Sequence, residues 1–186
     1  FEVGLECAQN IAFVLGESQY HSLAHIRVEG CHLSDEGFAE IATALRIQPQ
    51  LESLHLERNN IGLMGSIALA DMMRGWGTSN LKVLDLYDNA IDDQGLEALT
   101  AGMTNTALEK LSLSSNLITA VGLRSLSTYF HSERCCLETL SLYGVNFGDE
   151  GVVALADGLM GNKSLTSLRF IPDESGITDV GWAAFS

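Results

Sequence analysis

The side chains in this sequence that could do chemistry are two histidines, a short serine run, and a set of carboxylates interleaved with tyrosines. His25 and His55 fall in equivalent, strand-like stretches and could approach one another. A zinc-type site needs at least a third ligand held in fixed geometry. Glu29 and Glu57 are only loosely placed for that role, so we assign no metal. A serine hydrolase needs a nucleophile on a strained turn, with an oriented histidine and acid. Ser112, Ser114 and Ser115 instead lie in a flat alternating stretch or at its end. The glycines recur at a regular interval and build no phosphate-cradling loop, so no cofactor and no catalytic residue is assigned. Recognition is what remains. Glu29, Glu57, Asp85 and Asp88 offer carboxylates to a basic partner, and Tyr87 and Tyr143 offer large contact area at low entropic cost.

The elements that must position these residues repeat along the chain. Segments of 27–30 residues open at Leu23, Leu51, Leu81, Leu108 and Leu137, and a truncated one opens at Leu165. Each begins with the pattern L-x-x-L-x-L-x-x-N: LESLHLERN from Leu51, LKVLDLYDN from Leu81, LEKLSLSSN from Leu108. Leu23 opens LAHIRVEGC, Leu137 opens LETLSLYGV, and Leu165 opens LTSLRFIPD. The L-x-L alternation predicts a short strand with one buried face. One such strand cannot bury its leucines alone, so neighbouring copies must lie beside it.

The second half of each copy has helical spacing. Gly37, Ile41 and Leu45 fall four apart, as do Gly65, Leu69 and Met73, and Gly95, Leu99 and Met103. Gly122 with Leu126 and Phe130, and Gly151 with Leu155 and Leu159, repeat the spacing, and Gly181 with Phe185 begins it again. Between strand and helix stand Leu33-Ser34, Ile61-Gly62, Ile91-Asp92, Ile118-Thr119, Phe147-Gly148 and Ile177-Thr178. Each second member is a residue type favoured where a helix starts.

These residues resemble the leucine-rich repeat family in its ribonuclease-inhibitor-like subclass, with about 28 residues per repeat. The resemblance runs from Leu23 to the end, and residues 1–22 fit the helix of a preceding repeat, with Cys7 at its glycine position and Ile11 and Leu15 at its two apolar positions. It implies one domain over 1–186: a right-handed α/β solenoid, with a parallel sheet on the concave side of a horseshoe and helices on the convex side. It also implies that Asn59, Asn89, Asn116 and Cys31 bond the backbone of neighbouring turns. Val145 breaks that ladder, and Asn146 could shift in. The sixth copy is disturbed by the run IPDESG, which holds Pro172 and Asp173.

Composition narrows the partner. There are 24 acidic against 10 basic residues, a net charge of −14, and only three lysines. That disfavours nucleic acid and anionic membrane surfaces, and it suits a basic protein partner. No apolar run reaches membrane-spanning length. Cys7 and Cys31 fall in core positions and Cys135-Cys136 in a turn, a pattern that predicts reduced thiols in an intracellular protein of unknown compartment. The chain opens and closes inside repeats, which predicts a fragment of a longer protein, or the ordered part of one; a place as a subunit of a larger assembly is a separate expectation.

The strand period predicts three outward columns: His25, Ser53, Val83, Lys110, Thr139 and Ser167; Arg27, His55, Asp85, Ser112, Ser141 and Arg169; Glu29, Glu57, Tyr87, Ser114, Tyr143 and Ile171. The expected function is a non-enzymatic protein–protein interaction module, a recognition platform or scaffold, using Glu29, Glu57, Asp85, Tyr87, Asp88 and Tyr143 on the concave face. Trp76 is a second candidate contact, on the edge, and Trp182 is expected to pack. Two alternatives come from the family. The Ran GTPase-activating protein carries loop arginine and asparagine residues, which Arg58-Asn59 echoes faintly. Ribonuclease inhibitors bind basic nucleases, although they are richer in cysteine and alternate two repeat types more strictly than the lengths 28, 30, 27, 29 and 28 here.

Overall fold

The computed structural model describes residues 2–17, 22–48, 50–75, 80–104, 106–171 and 176–185. Trp76, Pro172 and Asp173 lie outside the described residues. Six three-residue strands, β1 (His25–Arg27), β2 (Ser53–His55), β3 (Val83–Asp85), β4 (Lys110–Ser112), β5 (Thr139–Ser141) and β6 (Ser167–Arg169), form one parallel sheet in chain order. Among the described residues the helices are α1 (Glu2–Gly16), α2 (Ser34–Leu45), α3 (Leu63–Gly75), α4 (Asp93–Met103), α5 (Ala120–Phe130), α6 (Gly148–Leu159) and α7 (Asp179–Trp182), the last running into a 3₁₀ turn. Strand and helix alternate, which makes the molecule an α/β solenoid.

The register is the one that the period dictates. His25, Ser53, Val83, Lys110, Thr139 and Ser167 stand side by side, and so do Arg27, His55, Asp85, Ser112, Ser141 and Arg169. Between them Ile26, Leu54, Leu84, Leu111 and Leu140 turn inward and are buried. They meet Phe38, Ile41, Leu69, Met73, Leu99, Leu126 and Leu155 from the helices in one continuous core. Burial of this kind stabilises by about 1.5–3 kcal/mol per large side chain. The sixth copy is looser: Leu165, Leu168 and Phe170 are only partly buried. There Phe170 packs edge-on against Phe147 at 5.6 Å and stacks on Trp182 at 5.9 Å, so Trp182 packs while staying 41% exposed.

The asparagine ladder holds each turn to the next repeat. Asn59 Oδ1 accepts from the Cys31 amide at 3.0 Å, and its Nδ2 donates to the Val28 carbonyl at 2.6 Å. Asn89 Oδ1 accepts from the Asn59 and Ile61 amides at 3.1 and 2.9 Å, while Nδ2 donates to the Leu56 carbonyl at 2.9 Å. Asn116 repeats the pattern on the Ile91 amide and the Leu86 carbonyl. At the fifth repeat Val145 is fully buried in the asparagine's place. Asn146 does not shift in; it is exposed and faces Gly176. Cys31 occupies its rung half-buried, and its thiol donates to the Glu29 carbonyl at 3.5 Å.

The helix starts follow two chemistries rather than one. Asp92, Thr119 and Thr178 cap with their own side chains, on the amides of Gly95, Val121 and Val180. Ser34 and Gly148 do not cap; each is the first helical residue, at φ +58°. In addition, an aspartate in the first turn of every second helix reaches forward. Asp35 accepts from the Gly62 amide at 2.6 Å, Asp93 from the Thr119 and Gly122 amides at 2.7 and 3.0 Å, and Asp149 from the Thr178 amide at 2.7 Å. Leu63 and Ala120 hold the same position in the intervening helices, which approach their successors through small residues instead. A Cβ on Gly102 would stand 2.7 Å from the Ala70 backbone, and one on Gly158 would stand 2.5 Å from that of Ser127.

Candidate functional site

On the open face of β1–β3 the strand columns and the turns that follow them bring charge together. The eighth position of each repeat, Gly30, Arg58, Asp88, Ser115 and Gly144, is left-handed in all five copies, with φ between +54° and +65°. A residue in that conformation ends the strand and projects its side chain at the rim of the sheet. Glycine adopts it freely, whereas Arg58 and Asp88 hold it against a preference of about 1–2 kcal/mol.

Two arginines tie the carboxylates of three repeats. Arg27 Nη1 lies 3.2 Å from Glu57 Oε1 and 3.5 Å from Glu29 Oε2, and its Nη2 donates to His55 Nδ1 at 3.1 Å. Arg58 Nη1 donates to Glu29 Oε1 at 3.4 Å, its Nε stands 3.7 Å from Asp88 Oδ2, and its guanidinium sits 5.6 Å from the centroid of the Tyr87 ring. The pairs around Glu29 and Asp88 are exposed, and exposed pairs contribute little to stability. They fix the arrangement of the face rather than the fold. Glu57 differs, being only 7% exposed beneath Arg27.

The structure brings Glu29, Glu57, Asp85, Tyr87 and Asp88 into one patch, in which Arg27 and Arg58 partly neutralise the carboxylates. Tyr143 does not belong to that patch. It lies two strands on, 42% exposed, with its amide donating to Ser114 Oγ at 2.9 Å. The third outward column is also less open than the period implies. Ser114 is 2% exposed and shares a 2.9 Å hydrogen bond with Ser141 Oγ.

The two histidines do not converge. His25 Nδ1 bonds Ser53 Oγ at 2.9 Å, and His55 is engaged by Arg27 and lies 3.4 Å from Glu57 Oε1. Sequence reading passed over Asp85 as the companion of His55, although the two are paired residues of β2 and β3. His55, Glu57 and Asp85 each present one donor atom, all within 4.8 Å of one another. Of the Arg58-Asn59 pair, Asn59 is fully buried in the ladder, so Arg58 alone reaches the surface.

Models of the leucine-rich repeat match residues 79–99 and 104–127, and a second leucine-rich repeat model matches 136–155. The chain belongs to the leucine-rich repeat family. Its repeats are of the ribonuclease-inhibitor-like kind. The chain is 31% identical over 147 residues to human NACHT, LRR and PYD domains-containing protein 5, covering 78% of the chain and 12% of that protein. It is 26% identical over 152 residues to the ribonuclease inhibitor of Sus scrofa, covering 81% of the chain and 33% of the inhibitor. To the Tonsoku-like protein of Bos taurus it is 32% identical over 168 residues, 86% of the chain and 12% of the relative. The chain therefore spans a third or less of the length of these curated relatives. What they share with it is the leucine-rich repeat surface, a protein-binding module.

Proposed function

We propose that this leucine-rich repeat array docks a basic protein partner on the open, concave face of its sheet, around Glu29, Glu57, Asp85, Tyr87 and Asp88, with Tyr143 as a second anchor. The observation that carries the reading is the Arg58–Asp88–Tyr87 cluster at the sheet rim. Two non-glycine residues hold a left-handed backbone there, and the charged groups they display contribute little to the fold. Tyrosine and arginine are enriched among binding hot spots. The chain's charge of −14 favours an encounter with a basic surface. The free thiols Cys7, Cys31, Cys135 and Cys136 support a reducing, intracellular setting for this encounter.

The test is affinity capture from native extract, comparing the chain with Tyr87→Ala/Tyr143→Ala and reading the captured proteins by mass spectrometry. A protein lost selectively from the double variant supports the concave face, and its binding should weaken as salt rises. Equal capture by both chains overturns it.

A further inference from the structure

We propose that His55, Glu57 and Asp85 form a site for one zinc-type divalent cation on the open face of β2 and β3. A ring nitrogen and two carboxylate oxygens lie within 4.8 Å of one another. Around tetrahedral zinc, with bonds of about 2.0–2.2 Å, ligand atoms stand about 3.3 Å apart. Side-chain rotations of about 1–2 Å close that gap, while strand pairing holds the His55 and Asp85 backbones in place. An imidazole with two carboxylates suits zinc and its neighbours, whereas calcium and magnesium favour all-oxygen shells. Three protein ligands leave a fourth position for water or an incoming side chain.

Two observations independent of that spacing point to a cation. Glu57 is more than nine-tenths buried, and its Oε2 atom has no hydrogen-bond partner. A buried anionic oxygen without a partner is costly; Oε1 is the oxygen beside His55, so an ion held by both oxygens of the carboxylate would also satisfy Oε2. The second observation is that a cationic group already sits there. The Arg27 guanidinium spans Glu57 Oε1 at 3.2 Å and His55 Nδ1 at 3.1 Å. Arg27 can only donate, so in this contact His55 Nδ1 is the acceptor. Arg27 is half-exposed and has Glu29 at 3.5 Å as an alternative partner, so an entering ion displaces it sideways. The charges agree: Glu29, Glu57, Asp85 and Asp88 against Arg27 and Arg58 leave −2, which one divalent ion neutralises.

The site does not depend on the partner reading, because the chain alone suffices to test it. Zinc is titrated into the reduced chain by calorimetry, and cobalt is followed by visible absorption. The expected result is one saturable equivalent, weakened at least tenfold by His55→Ala and by Asp85→Asn, and tightened several-fold by Arg27→Ala, which removes the competing guanidinium. The gain in Arg27→Ala keeps the test independent of variants that fail to fold, and circular dichroism melts check the others. The cobalt complex should show no thiolate charge-transfer band. Absence of a one-equivalent phase in both the parent chain and Arg27→Ala overturns the site. So does binding that survives His55→Ala or shows the thiolate band, which would move the ion to the cysteines.

Discussion

The Asp93 carboxylate closes the start of a helix that is not its own: one oxygen accepts from the Thr119 amide at 2.7 Å, and the other accepts from the Thr119 hydroxyl at 2.7 Å. The same Oδ1 also accepts from Gly122, so three donors at the head of α5 depend on a side chain of α4. Replacing Asp93 with Ala should therefore loosen the junction between two repeats rather than α4. Losing such a cap costs about 0.5–2 kcal/mol. Hydrogen exchange should quicken at the first amides of α5, and unchanged exchange there would remove the forward cap from the account.

Asp149 makes the same reach between the fifth and sixth copies, and acidity should reveal it. The Thr178 hydroxyl and amide, followed by the Gly181 amide, bond its carboxylate and hold its pKa below the ordinary carboxylate range. A group lowered on folding stabilises above its unfolded pKa and loses that contribution as pH falls through the folded one. The order of α7 should thus be present at neutral pH and fade once Asp149 is protonated, on the acid side of an ordinary aspartate. In Asp149→Ala the amides of Thr178 and Gly181 should exchange fast at every pH, with no step in the profile.

Asn89 is the rung with the most bonds, and its loss should be costly. Asn89→Ala removes the acceptor of two amides and the donor to Leu56, and each buried group left unpaired costs about 1–3 kcal/mol. Chemical denaturation should show a lower midpoint. A variant within error of the parent chain would mean that water replaces the side chain.

Arg58 allows recognition to be separated from folding. Arg58→Gly relieves a left-handed backbone costing about 1–2 kcal/mol and adds glycine's entropic cost of about 0.5–1 kcal/mol. Stability should stay within about 1 kcal/mol of the parent by the same terms, while partner capture falls because Glu29, Asp88 and Tyr87 lose their common neighbour. A large loss of stability would make the cluster structural.

Strand positions, their register and the inner face were legible in the sequence, because a period of two inside a period of 27–30 leaves each leucine one place to go. The rim was not legible in the same way. Whether Arg27 turns to Glu57 or away depends on a neighbour 30 residues distant, and periodicity is silent on side-chain pairing. Burial of Ser114 and Glu57 was missed because the seventh position lies where the strand is already bending into its turn. The forward caps did leave a trace: Asp35, Leu63, Asp93, Ala120 and Asp149 alternate at one position, a run that Asp179 of the sixth copy breaks. Reading each helix start by its own residues hides that alternation.

The matching unit of this array is a pair of repeats, not a single one. Excising 81–107 would set Leu63 before Thr119, where a carboxylate is needed, and leave the head of α5 unserved. Excising 81–136 would bring Gly158 against Ala70 in place of Ser127, one small neighbour exchanged for another. Removing two repeats should therefore disturb the array less than removing one.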